Sequence, residues 1–139
     1  MPEHRTILYA EDEENDVLLL RLAFESEGLP NLLITVVDGA EAISYLAGTG
    51  QFTDRQKHPL PDLLLLDLNL PKKSGFEVLQ WARQQPALVG LPIIVYTSSQ
   101  AEVDRDSAFR FGATDYIVKF SEFDQLANFA RTLAGRCGS

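Results

Sequence analysis

The sequence predicts an α/β fold, a doubly wound five-stranded parallel sheet flanked by five helices, and three observations carry the prediction. Apolar runs suited to strands alternate strictly with segments of helical period, five of each, between Arg5 and Ala134. One of those runs, Leu63–Leu66, is four leucines in a row. A strand buried on both faces has that composition, and both faces are covered only in a parallel sheet. Polar and charged residues, finally, stand at the carboxyl ends of the first, third, fourth and fifth runs, where ligands bind in such sheets. The 139 residues, 45% hydrophobic and 9% aromatic, suit one compact domain with a sizeable core, spanning about 5–134.

The first strand, Arg5–Ala10, ends on a small residue. An acidic run, Glu11 to Asp16, leads into a helical pattern of Val17, Leu20, Ala23 and Phe24, with Leu22 off phase. Asn15 or Asp16 is the expected N-cap, and Gly28 and Pro30 stop the helix. Leu32–Val37 is apolar and β-branched, a buried strand. Asp38-Gly39 turns the chain into a short helix, Ala40–Ala47, with Ile43, Leu46 and Ala47 inward. Residues 48–61, with two glycines, two prolines and no period, read as an extended loop.

Leu63–Leu66 ends on Asp67. Pro71, Ser74 and Gly75 mark a loop before the helix Phe76–Gln85, which carries Val78, Leu79 and Ala82 inward and is closed by Pro86. Ile93–Tyr96 is a strand ending at Thr97. The next helix, about Ala101–Phe111, places Val103, Ser107 and Phe111 toward the sheet and Phe109 toward solvent. Tyr116–Val118 is the fifth strand, ending at Lys119. The last helix, about Ser121–Ala134, has an inward stripe of Phe123, Leu126, Ala127, Ala130, Leu133 and Ala134, with Phe129 on its flank. Residues 135–139 read as a frayed tail.

Composition narrows the function. Twelve basic against twenty acidic residues leave a net charge of −8, which argues against a nucleic-acid partner because little here could neutralise a phosphate backbone. The longest unbroken apolar runs have four residues, against roughly 20 needed to span a bilayer. Residues 1–5 are polar with no apolar segment behind them, so no signal peptide is expected. A single cysteine, Cys137, excludes an intrachain disulfide and a cysteine metal cluster. A cytoplasmic protein fits these features.

The strand ends narrow it further. Glu11, Asp12, Asp67, Thr97, Ser98 and Lys119 converge on one edge of the predicted sheet. Oxygen donors without histidine or cysteine suit a hard divalent ion, Mg2+ or Mn2+, and Thr97 and Lys119 supply the donors an anionic oxygen requires. Each residue also has an ordinary explanation. Acids before a helix are favoured by its dipole, an aspartate can start a turn, a threonine can cap, and a lysine can simply be solvated. What the ordinary explanations do not account for is all of them recurring at strand ends.

The runs ILYAED at 7–12, LLLLDLNLP at 63–71 with Gly75, IIVYTSS at 93–99 and GATDYIVK at 112–119 resemble the receiver domain of two-component response regulators. The spacings agree, 30 positions from Asp67 to Thr97 and 22 from Thr97 to Lys119. LNLPKKSGFEVL and the loop at 48–61 are similar to the single-domain response regulators that serve phytochromes. The resemblance implies that Asp67 is the phosphoacceptor. Asp12, Asp67 and the backbone carbonyl of Asn69 would hold Mg2+, with Glu11 acting through water. Thr97, Ser98 and Lys119 would bind the phosphoryl group, and Tyr116 would be the aromatic switch that moves inward. It implies a sensor histidine kinase as partner, with a phytochrome as the specific candidate. Most members have proline after the lysine, with a cis bond before it. Phe120 stands there in this chain, and an arrangement like the family's would need a cis Lys119–Phe120 peptide.

Such a protein catalyses only its own phosphorylation and dephosphorylation. With no second domain in the sequence, its message leaves through a surface. Phe109, Phe120 and Phe129 mark that surface on the fourth helix, fifth strand and fifth helix, and a homodimer through this face is expected. Two alternatives stand beside this one. Asp67-Leu68-Asn69 approaches the motif of haloacid-dehalogenase-like phosphatases, although that motif normally follows the first strand. A phosphorylation-independent interaction module would share the same fold.

Overall fold

A computed structural model describes residues 5–29 and 33–138, with side chains through Arg136. Five parallel strands, β1 (Ile7–Ala10), β2 (Leu33–Val36), β3 (Leu63–Leu66), β4 (Ile93–Thr97) and β5 (Asp115–Val118), form one sheet in the order β2-β1-β3-β4-β5. The helices between them are α1 (Glu14–Ser26), α2 (Gly39–Ala47), α3 (Gly75–Arg83), α4 (Glu102–Arg110) and α5 (Phe123–Gly138). The fold class is as the sequence predicts. Pro30, the expected strand start at Leu32, residues 1–4, the Cys137 side chain and Ser139 lie outside the described residues.

The two-residue period of the strands sorts side chains between two cores. Leu8, Leu64, Leu66, Ile93 and Val95 pack with Ala42, Tyr45, Val78, Leu79 and Ala108 of α2, α3 and α4. Ile7, Tyr9, Leu63, Leu65, Ile94 and Tyr96 pack with Leu20, Phe24, Leu126, Phe129 and Leu133 of α1 and α5. Each leucine of Leu63–Leu66 therefore meets helices, whichever way it points. Asp38 caps α2 by accepting from the Glu41 amide, and Ser74 with Glu77 forms a capping box on α3.

Several local expectations are corrected. Glu13, not Asn15 or Asp16, is the N-cap of α1, and its side chain makes no capping bond. In α2 Ala42, Tyr45 and Leu46 are buried, Ile43 is half-buried and Ala47 is exposed. The loop at 48–61 contains a 3-10 turn, Gly50–Phe52, and is stitched to α2. Arg55 donates to the carbonyls of Tyr45 at 2.8 Å and Leu46 at 2.9 Å, and Tyr45 Oη donates to the Pro59 carbonyl. A second 3-10 turn, Pro86–Leu88, follows α3, which ends at Arg83. The expected frayed tail is helical through Gly138.

The α4–β5–α5 face differs most from its prediction. Val103 is 69% exposed, and Ala108 is the buried residue of α4. Phe123 opens α5 before its first full turn and is 43% exposed. Phe129, expected on the flank, is buried, its ring 4.8 Å from that of Tyr96 and 5.4 Å from that of Phe120. Among the described residues no helix is long and apolar enough to cross a membrane.

Candidate functional site

Where β1, β3, β4 and β5 end, the chain delivers one polar residue after another to the same edge. Glu11 continues β1, its amide donating to the Val36 carbonyl, and Asp67 continues β3, its amide donating to the Ala10 carbonyl. Thr97 closes β4. The Lys119 amide donates to the Thr97 carbonyl at 2.8 Å and extends the β5 ladder by one residue. Backbone register, rather than loop conformation, thus sets these side chains.

Lys119 is the centre of the arrangement. Its Nζ lies 2.7 Å from Asp16 Oδ2, 2.8 Å from Glu11 Oε1 and 3.2 Å from Asp67 Oδ2. The expected cis bond is absent, since every peptide bond among the described residues is trans. The lysine reaches Asp67 regardless, because strand pairing aims its backbone while the Phe120 ring settles against Tyr96 and Phe129.

The Glu11 side chain is fully buried. It accepts from Tyr9 Oη at 3.3 Å and from the Glu13 amide at 3.1 Å. Burial, working against the hydrogen bond from Lys119, lifts its carboxyl to about 7. Burial disfavours the Lys119 charge, but the Asp16 and Glu11 carboxylates bonded to it outweigh that and hold the ammonium above the ordinary lysine range. Asp67 is buried and accepts from the Asn69 amide at 3.3 Å, whereas Asp12 and Asn69 are exposed.

One carboxylate oxygen each from Glu11, Asp12 and Asp67 fall within 4.8 Å of one another. Three hard oxygen donors gathered at the rim of the sheet fit a divalent cation such as Mg2+ or Mn2+. On the opposite side of Asp67, Thr97 Oγ1 is buried with no hydrogen-bond partner among the described residues. A buried hydroxyl left unpaired costs about 1–3 kcal/mol, so the site holds a donor poised for an incoming oxygen. Ser98 is exposed beside it.

Tyr116 lies inward and buried, its Oη donating to the Ser99 carbonyl at 3.0 Å. The Arg105 guanidinium lies over the Tyr116 ring at 5.8 Å and the Phe109 ring at 5.5 Å. Phe109 remains 41% exposed, Phe120 is half-buried and Phe129 contributes to the core, so of the three expected surface phenylalanines one is fully internal. Asp16, read from sequence as a helix cap, instead faces the site. Its signal was a place one turn beyond the acidic pair, on a helix that starts at the sheet's carboxyl edge.

A family model described as the response regulator receiver domain matches residues 7–131. The chain belongs to the response regulator receiver family. As a receiver it is 35% identical to Response regulator Rcp1 of Synechocystis sp. over 115 residues, 83% of this chain and 76% of that one. Its structure is similar to that of the phosphorylated cyanobacterial phytochrome response regulator RcpA, at 34% identity and a TM-score of 0.87 over 99% of this receiver and 96% of that chain. It is also similar to the Mn2+-bound form of Rcp1, at 31% identity and a TM-score of 0.81 over 94% and 92%. The bacteriophytochrome response regulator RtBRR is 39% identical, with a TM-score of 0.78 over 97% and 78%. The family is one of signalling proteins rather than of enzymes for external metabolites, and the run Asp67-Leu68-Asn69 here follows β3 of a receiver.

Proposed function

We propose that the chain is a response regulator that accepts a phosphoryl group on Asp67 from a phosphohistidine of a sensor histidine kinase. The observation that carries this is the buried Asp67 carboxylate bonded to the Lys119 ammonium, at the end of the strand next to the one that carries the unpartnered Thr97 hydroxyl. Glu11 (through water), Asp12, Asp67 and the Asn69 carbonyl would hold Mg2+, with Mn2+ suiting the same donors. When bound, the ion offsets charge between the carboxylate and the transferring group. The likeness to phytochrome response regulators supports a phytochrome as the donor kinase, in a cytoplasmic setting.

The transfer balances simply. An Asp67 oxygen attacks phosphorus and forms the acyl phosphate bond, while the phosphorus–nitrogen bond breaks and the imidazole departs with the electron pair and takes up a proton. Lys119 keeps a positive charge beside the developing oxygens. Thr97 and Ser98 offer hydroxyls to the phosphoryl group, and Thr97 gains the partner it lacks. Movement of Thr97 pulls on β4 and on the Ser99 carbonyl that Tyr116 grips, which carries the change to the surface.

The test is phosphotransfer from a panel of phosphorylated histidine kinases, phytochromes included, read as a mass gain with Mg2+ present. Asp67→Asn should take up nothing. A wild type that stays unmodified with every kinase and with acetyl phosphate would leave the interaction-module reading, and turnover of a generic phosphate monoester would favour the phosphatase one.

The output face also pairs two copies in this reading. Phe109 and Val103 are exposed on α4. The helix carries Glu102 and Asp104 in its first turn and Arg110 in its last, so two copies of α4 laid antiparallel set acid against base. Light scattering should give a dimer for wild type and a monomer for Phe109→Asp. A wild type that remains monomeric at every concentration, phosphorylated or not, removes the face from consideration.

A further inference from the structure

We propose that Asp16 is a positioning residue that restrains the Lys119 ammonium and so acts as a brake on phosphorylation of Asp67. The inference rests on Asp67 being the phosphoacceptor. An ammonium has three N–H donors, and Lys119 Nζ has three carboxylates within 3.2 Å. The shortest of the three distances, 2.7 Å, is to Asp16, and the longest, 3.2 Å, is to Asp67.

Asp16 stands outside the group of carboxylates close enough to share a cation, which is Glu11, Asp12 and Asp67. Its role toward Lys119 is therefore separate from metal binding. It also comes from a different element, the first turn of α1, and its side chain is 32% exposed, so it meets the site from the solvent side.

A phosphoryl group on Asp67 brings new anionic oxygens that need an N–H from Lys119. The ammonium lies closer to Asp16 than to Asp67, so drawing it toward those oxygens stretches the bond to Asp16. The Asp16 charge also repels the arriving group across a short distance. Both effects stabilise the unmodified protein relative to the phosphorylated one. Asp16→Asn keeps the size of the side chain and removes the charge.

Initial rates of Asp67 phosphorylation by acetyl phosphate with Mg2+ should rise for Asp16→Asn on the order of 5-fold, the factor that about 1 kcal/mol of lost charge interaction gives. Asp16→Ala should move the rate in the same direction, and Asp16→Glu, which keeps the carboxylate, should remain near wild type. A second readout needs no phosphorylation. In metal-free protein the 15N ammonium signal of Lys119, assigned through Lys119→Arg, should be protected from solvent exchange, and Asp16→Asn should speed its exchange. Equal or slower phosphorylation of folded Asp16→Asn, or an unchanged ammonium signal, overturns the role of Asp16. Wild-type protein that acquires no phosphate at all instead sinks the phosphoacceptor reading, and this inference with it.

Discussion

Lys119→Met should destabilise the metal-free protein by about 3–5 kcal/mol near pH 8, the range for removing one partner of a buried ion pair. The lysine side chain is 15% exposed, and it faces a fully buried Glu11 and a nearly buried Asp67. Methionine fills much of the same volume but leaves those carboxylates facing one another without a cation. The deficit should shrink near pH 5. Glu11 in the folded protein holds its proton up to about 7, above the ordinary 4.5. The stability that this raised value contributes is complete below about 4.5 and is lost as pH rises through 7. Losing Lys119 raises Glu11 further, so the variant should weaken more steeply with pH than wild type. Added Mg2+ should restore part of the difference in both. Urea melts at the two pH values measure this, and a loss under about 1 kcal/mol at both would show that the carboxylates relax without the lysine.

Gly75→Ala should cost more than about 3 kcal/mol, beyond the usual range for overpacking. A Cβ there would stand 2.2 Å from the Asp67 carbonyl oxygen and 2.7 Å from Leu68 Cα. Both are backbone atoms of the segment that presents Asp67, and Gly75 N donates to the Leu68 carbonyl at 3.0 Å, fixing the approach. The chain cannot swing aside without dragging Asp67, whose amide is tied to Ala10 on β1. The folded fraction should consequently bind Mg2+ more weakly. Gly28 supplies the contrast. Its φ is +66° but nothing lies within 4 Å of a Cβ, so Gly28→Ala should cost only the left-handed backbone penalty of about 1–2 kcal/mol. Thermal melts and Mg2+ titration of both variants decide it, and similar losses would mean that the crowding at Gly75 relaxes freely.

The sheet was legible because parallel strands advertise themselves. Leu63–Leu66 has no polar face, and β1, β3, β4 and β5 each end abruptly on a polar residue. Asp67, Thr97 and Lys119 could be placed for the same reason, since register alone puts them at one edge. Helical phase served less well where a helix touches its neighbours along a narrow strip. In α4 the arithmetic chose Val103 for the inside, but only Ala108 is buried, while Arg105 lies over the Tyr116 and Phe109 rings and Val103, near the start of the helix, is exposed. Phe129 misled in the opposite direction, as an aromatic ring is long enough to reach back over Tyr96 from the edge of its helix. Asp16 was hidden by its company. In a run of acids before a helix, sequence does not distinguish the one that turns toward a lysine 103 positions away.

The order β2-β1-β3-β4-β5 gives the pocket a handedness of chemistry. Acceptors stand on the β1 side of Asp67, in Glu11 and Asp12, and the Thr97 hydroxyl stands on the β4 side, while Lys119 is fixed by the end of β5 but carries its ammonium across to Glu11. A cation is therefore drawn to one flank and an anion's oxygens to the other, with the central strand between them. The cation flank leads back to β2 and α1, packed tightly to α5. The anion flank leads to β5, which like β2 is an edge strand. Lys119 joins the two flanks, because its amide is tied to Thr97 on β4 while its ammonium bonds Glu11 at the end of β1, so a charge taken up on either flank is felt on the other.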